Sequence, residues 1–406
     1  MSQMLALLLV TGVLYFGDVI SVRTKAKIPS VFVCAVLFLL GYWSFFPKDI
    51  ISIAGVAPVV AIMAMYLLIT NMGTLLSIPE LLRQWKTIVI SLSGIIGIMA
   101  AVWCICAFLF DTNTAIVTTP PLVGGIVSAV IMSKGAAEAG LVDLSVFAIL
   151  IYVMQGFAGY PLTTLMLQRE GRRVLELYRS GQWHEDMHGT GSVLKKADSQ
   201  NENAMPGLFR MFPDSYNTGY FKFFRLALVG YLAYLASNWL GPLIAVSPFV
   251  LCLLFGVIAS SAGFLEKQPL QKANGFGFTI MVLMLFIFDT LNQATPDMLL
   301  RLLVPMLVLI TTAIVGMFLV SWVIGKVLGV TMEMAFAISL TAMYGFPADY
   351  IITNEAVTAL TQNAKEREVL MQHMLAPMLV GGFISVTMVS VVLAGIMVGY
   401  ITPFTG

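Results

Sequence analysis

The sequence predicts an all-α polytopic membrane protein made of two inverted-topology repeats, with about ten transmembrane helices and two re-entrant, broken-helix hairpins. Three observations carry that expectation. Of the 406 residues, 59% are hydrophobic and 11% charged, and the mean hydropathy is +0.92, a composition that soluble domains do not have. An apolar stretch broken by Gly and Pro occurs twice, at corresponding places in the two halves. Lys and Arg gather at alternate ends of the apolar runs, which orients each run across a bilayer.

The two broken stretches are Thr118-Thr119-Pro120-Pro121-Leu122-Val123-Gly124-Gly125-Ile126-Val127-Ser128 and Thr341-Ala342-Met343-Tyr344-Gly345-Phe346-Pro347-Ala348-Asp349. With Gly125 laid on Gly345, Ile131 falls on Ile351 and Ala136 on Ala356, while Ser128 pairs with Ala348 and Ser133 with Thr353. Broken helices at matching places in two halves of a membrane protein point to a ligand site, because they offer free backbone groups at membrane depth.

In chain order, residues 4–20 form an apolar run with no positive residue before it and Arg23, Lys25 and Lys27 after it. That polarity is opposite to a secretory signal, so the run reads as a retained span with its N-terminus outside. Residues 28–46 return outward, and residues 50–72 come back in and end at Thr70-Asn71. Ser77-Ile78-Pro79-Glu80 then has the form of a helix start, and residues 87–110 run outward to Asp111-Thr112-Asn113. If residues 114–133 crossed completely, the next run, 142–167, would place Arg169, Arg172, Arg173 and Arg179 outside. A hairpin near 114–138 that dips in and returns keeps these arginines inside.

Residues 168–221 read as a cytoplasmic linker between a first membrane repeat, 1–167, and a second, 222–406. The second half repeats the pattern with spans at 226–240, 243–264, 276–291 and 302–324, a hairpin near 332–356, a polar amphipathic segment at 354–373 and a last span at 375–398. Five spans and a hairpin per half turn the second copy over, so that the hairpins enter from opposite faces and both termini lie outside.

Composition also excludes chemistries. There is neither a Walker A pattern nor a helical His-Glu-x-x-His pair, the four cysteines lie in apolar runs, and the His184/His188 pair in the polar loop lacks a third ligand. No enzyme, cofactor or metal framework is expected, and with no basic stripe no nucleic-acid partner. A channel would need a continuous polar lining, which does not show.

The layout resembles the glutamate:sodium symporter family and its relatives, the 2-hydroxycarboxylate transporters. The residues that carry the resemblance are Ala335-Phe336, Met343-Tyr344-Gly345-Phe346 and Ala376-Pro377-Met378-Leu379-Val380-Gly381-Gly382-Phe383, with Lys27-Ile28-Pro29 and Gly124-Gly125 earlier. The family's hairpin tips are similar to Gly-Gly-x-Gly, whereas here Gly124-Gly125 is followed by Ile126-Val127 and Gly345 stands alone before Phe346-Pro347. The resemblance implies a Na+-coupled symporter of a small anionic solute, a glutamate-like amino acid or carboxylate, in a plasma membrane such as a bacterial inner membrane, with a homodimer as a compatible assembly.

At the broken tips, freed N–H groups and positive dipole ends suit a carboxylate, and freed carbonyls suit a cation. Thr118, Thr119, Gly124, Gly125, Ser128, Tyr344, Gly345 and Phe346 are therefore the candidate substrate-binding residues. Asn71, Asp289, Asp349 and Asn354 are the candidate cation-binding residues, the coupling ion being Na+ or H+. Asp349 as a helix cap, Asp289 as an interfacial cap and Gln155 as a helix-bonding group are the structural alternatives. A proton-coupled carrier or exporter of another small metabolite is the alternative function.

Overall fold

The computed structural model describes residues 1–74, 84–182, 206–209, 213–240 and 248–402. Among these the secondary structure is helical, without strands, as a chain that must satisfy its backbone inside a bilayer requires. Among the described residues, five helices are long and apolar enough to cross a membrane: Gln3–Arg23, Trp85–Leu109, Val142–Arg179, Leu300–Leu328 and Ala364–Tyr400. Shorter apolar helices accompany them. The Ser77–Glu80 helix start and the His184/His188 pair lie outside the described residues.

The chain forms two compact units that cut across the sequence halves. Unit 1 comprises Met1–Leu7, Ile51–Trp85 and Glu185–Ile287. Its helices include α4 (Pro58–Gly73), α9 (Gly219–Leu240), α10 (Pro248–Ser261) and the single turn α11 (Pro269–Lys272). Here α4 and α10 cross closely: a Cβ on Gly73 would stand 2.4 Å from Leu253 O, and one on Gly256 2.3 Å from Thr70 O. Small residues at such a crossing let two backbones touch. Behind it, fully buried Arg225 is bonded to Glu266 at 3.1 Å, to Asn217 Oδ1 at 2.7 Å and to Phe264 O at 3.0 Å.

Unit 2 comprises Leu8–Ile50, Lys86–His184 and Phe288–Gly406, and contains both broken stretches. It includes α1 from Leu8 on (the whole helix is Gln3–Arg23), α2 (Ser30–Ser44), the first residue, Ile50, of α3 (Ile50–Ile53) and α5 (Trp85–Leu109) from Lys86 on. The first broken stretch is α6 (Thr112–Val123) and α7 (Ile126–Glu138), followed by the 38-residue α8 (Val142–Arg179). After α12 (Phe276–Asp289) come α13 (Pro296–Leu328), α14 (Met332–Leu340), α15 (Ala348–Leu360) and α16 (Ala364–Gly382). The last helix continues through a π-helical stretch, Phe383–Val389, into α17 (Ser390–Met397).

Three boundaries differ from the expectation. The run 50–72 is not one helix: α3 ends at Ile53, Gly55 takes φ +96°, and α4 restarts at Pro58, a restart that Pro at the first helical position favours. The segment 168–179, expected in the linker, is helical and continues α8, because Glu170, Gly171, Val174 and Leu175 give it a buried face. The amphipathic segment 354–373 is divided, α15 ending at Leu360 and Asn363 capping α16 through the Lys365 N–H at 3.0 Å.

Candidate functional site

Both broken stretches are helical hairpins. The open end of the first is fixed by Asn113, which exchanges bonds of 3.1 Å with Thr402, and by Gly135, whose added Cβ would meet Val398 at 2.2 Å. Its two ends therefore lie together beside residues 398–402. Its tip lies a dozen residues back along the same helix, since a Cβ on Gly125 would stand 2.6 Å from Val386 O and 2.9 Å from Ser390 Oγ.

The second hairpin is fixed in the same way at α8. Thr331, which caps α14, donates to Glu170 at 2.9 Å, and Leu360, the last residue of α15, packs on Gly171. Its tip reaches back along α8, where the Tyr344 hydroxyl is bonded to Thr163 Oγ1 at 2.8 Å and its ring lies over Tyr160. The first hairpin's tip is held on the same helix by Gln155, whose Nε2 donates to Pro121 O at 2.9 Å. The hairpins thus approach from opposite ends of α8 and touch tip to tip: a Cβ on Gly124 would be 2.0 Å from Ala342 O.

Local chemistry explains each break. Pro120 and Pro121 have no N–H to give to the preceding turn. Gly124 and Gly125 take φ +105° and +84°, and Gly345 +65°, conformations that a Cβ would oppose. Four helix ends consequently converge: the C-terminal ends of α6 and of the turn at 341–343, and the N-terminal ends of α7 and α15.

The candidate substrate residues lie on the two hairpins, and their side chains are largely taken up by neighbours within the protein. Thr118 and Thr119 donate to Thr114 O and Ala115 O at 2.7 and 2.6 Å, one turn back. Ser128 Oγ lies 2.6 Å from Gly124 O and 2.7 Å from Gly125 O, holding the tip closed. Phe346 stacks on Phe383 with ring centroids 5.6 Å apart.

Of the candidate cation residues in unit 2, the structure brings only Asp349 to the tips. It is fully buried in the first turn of α15, where the helix dipole favours a carboxylate. Oδ1 accepts from Tyr350 N at 2.7 Å, whereas Oδ2 has no partner and faces Gly382, where a Cβ would be 2.6 Å from it. Asn71 lies in unit 1 and is spent there, accepting from Leu270 N and donating to Gln271 Oε1, both at 2.9 Å. Asp289 sits beside Tyr42 and Asn292, at a turn tied to the end of α2 by Trp43 Nε1 donating to Ala294 O at 2.7 Å. It makes no side-chain cap. Asn354 faces a cavity of about 660 Å³ with Asp18, Ser21 and Glu355. Glu355 is itself held there by Ser30 N at 3.0 Å and Ser21 Oγ at 2.8 Å.

Two features of the tip region lie outside the sequence-derived set. The π-helical stretch at Val386 packs against Gly124, Gly125 and Gly345, and such irregular turns shift carbonyls out of the helical ladder. Gln155 is fully buried and its Oε1 has no partner. An unpaired amide oxygen, an unpaired carboxylate oxygen and carbonyls at broken helix ends are each the kind of group that can hold a small hard cation. The helix N-termini at Ile126 and Ala348 suit an anionic group. Comparison with protein-family models and with curated protein sequences gave no match.

Proposed function

We propose that the chain is a secondary active transporter that moves a small anionic solute, a glutamate-like amino acid or carboxylate, by Na+-coupled symport through alternating access. The observation that carries the reading is the meeting of four broken-helix ends at glycine tips around buried, partnerless Asp349 Oδ2. Solute carboxylate would be held by the N-termini of α7 and α15, and the ion by Asp349 and the freed carbonyls. The tips, now in contact, would part to admit the solute. The resemblance to the glutamate:sodium symporter family supports the same reading. With it go ten spans, two inverted repeats, a plasma-membrane location with both termini outside, and no enzymatic step.

A second reading, proton coupling, is favoured by the same oxygen, because a carboxyl without a partner is as well placed to take a proton as an ion. Reconstitution into proteoliposomes decides between them. Glutamate or 2-hydroxycarboxylate uptake should be driven by an inward Na+ gradient under the first reading and by a pH gradient under the second. A flux indifferent to both gradients would remove coupled transport altogether. For the topology, cysteines introduced by Ser192→Cys and Gly406→Cys should label oppositely with an impermeant reagent; equal labelling would break the inverted arrangement.

A further inference from the structure

Gln155 lies inside the 38-residue α8, is 0% exposed, and is only half satisfied by the fold. Its amide can face one way only. Pro121 O accepts and cannot donate, so the Nε2 end of the side chain must be the end turned to it, at 2.9 Å. Oε1 is left buried and without a donor, a state in which few polar atoms of folded proteins remain.

The surroundings of that oxygen are negative. Pro121 O belongs to the last turn of α6 and also accepts from the Gly124 N–H at 3.0 Å. The Gln155 amide therefore sits at the C-terminal end of α6, the negative end of the helix dipole. One turn further along the same face of α8, a Cβ on Gly159 would stand 3.1 Å from Met343 Cβ and 3.0 Å from Tyr344 Cδ1, so the turn at 341–343 also ends next to this stretch of helix. The hydroxyls of the tips are already engaged: Thr118, Thr119 and Ser128 donate to carbonyls of the first hairpin, and Tyr344 donates to Thr163. Among the described residues, the ion pairs of unit 2 lie at Glu170 and Glu366, and Glu170 is about 22 Å along α8 from Gln155.

A buried acceptor at the C-terminal end of a broken helix is the kind of ligand that coordinates a cation at membrane depth. We propose that Gln155 Oε1 is a ligand of the coupling Na+, in a site at the C-terminal end of α6 completed by carbonyls of its last turn. The assignment rests on the coupled-transport reading above and narrows it, because a carboxamide takes no proton near neutral pH and so answers a metal ion. An ion held there ties the tip of the first hairpin to the helix that also carries the second.

The test uses the full-length protein in a non-ionic detergent at constant ionic strength, with NaCl exchanged for KCl or choline chloride, and reads the thermal midpoint without any flux. Na+ should raise the midpoint of the unaltered protein, and K+ and choline should not. Gln155→Met keeps the volume and removes the oxygen, and the Na+ concentration for half-maximal protection should rise at least about tenfold. Gln155→Lys keeps a donor for Pro121 O and brings its own charge, so it should show no response to Na+. Gln168→Met is the matched control: it removes a glutamine–carbonyl bond of the same helix, to Lys25 O at 3.0 Å, about 20 Å from Gln155, and should keep the full response. Equal Na+ response in all three variants would overturn the assignment to Gln155 while leaving Na+ coupling in place. No Na+ response in the unaltered protein would overturn the site and the Na+ reading together. Glutamate protection in choline that is lost in Gln155→Lys and kept in Gln168→Met would give the oxygen to a solute ammonium, and overturn the ion.

Discussion

Gly124→Ala is the sharpest perturbation of the hairpin tips. The new Cβ would lie 2.0 Å from Ala342 O and 3.0 Å from Val386 Cγ2. The first contact is with backbone, which cannot rotate aside as a flexible side chain would. The residue would also keep φ +105°, which disfavours an L-residue by about 1–2 kcal/mol. Relieving the overlap adds about 1–3 kcal/mol if the tip shifts as a packed core does. Taken together, roughly 3 kcal/mol separates the touching tips from a displaced arrangement, about a hundredfold in population. Initial uptake rate in proteoliposomes should fall by at least that order if transport passes through the closed tips. Insertion and monodispersity should be unchanged, because the apolar flanks are untouched. Gly395→Ala is the matched control, since a Cβ there meets nothing within 4 Å, and it should retain full uptake. Full uptake by Gly124→Ala, with an unchanged thermal midpoint, would refute the argument from tip contact.

Three further expectations can be checked separately. Asp349→Asn keeps an oxygen for the Tyr350 amide but removes the charge beside Gly382, so ion dependence of flux should disappear while solute still protects the protein in a thermal-shift assay; unchanged ion dependence would leave Asp349 structural. Glu170→Gln weakens the links of Glu170 to His373, Arg173 and Thr331, at 2.7, 2.6 and 2.9 Å; amide exchange at 331–334 should quicken by the equivalent of about 1–2 kcal/mol, and unaltered protection would show that the base of the second hairpin is held otherwise. Arg225→Met removes the 3.1 Å bond of Arg225 to Glu266 and leaves the 3.9 Å contact to Lys222 and the Asn217 bond in place; loss of one member of a buried pair should lower stability to unfolding by about 3–5 kcal/mol, and a change below about 0.5 kcal/mol would contradict the burial argument.

The hairpins were legible because Gly and Pro write a break directly into the sequence, and both breaks fall where positive φ or a missing N–H interrupts a helix. Asp349 was legible for a related reason, as a lone charge beside such a break. The other three cation candidates show the limit of that logic. A polar residue at the end of a helix announces that the helix stops, but not which other ends it meets; Asn71 meets Leu270 and Gln271 within unit 1. Val386 gave no signal, because its role depends on a π-helical turn inside an apolar run that reads as ordinary span. The end of α8 was hidden for the opposite reason: Arg172, Arg173 and Arg179 dominate its hydropathy, while the buried face at Glu170, Val174 and Leu175 emerges only when its neighbours are known.

Both tips are fastened to one short length of α8, the first at Gln155 and the second at Gly159 and Thr163. Four to eight residues of helix correspond to about 6–12 Å, so the spacing between the two fastenings is set by the helical backbone and not by side-chain fit. The segment therefore works as a ruler. Exchanging its side chains would alter how firmly each tip is gripped but would leave the interval between them intact. Deleting one residue between Gln155 and Gly159 would shorten the interval by about 1.5 Å and turn one fastening about 100° around the helix away from the other, separating the hairpins even though every residue that touches them remained.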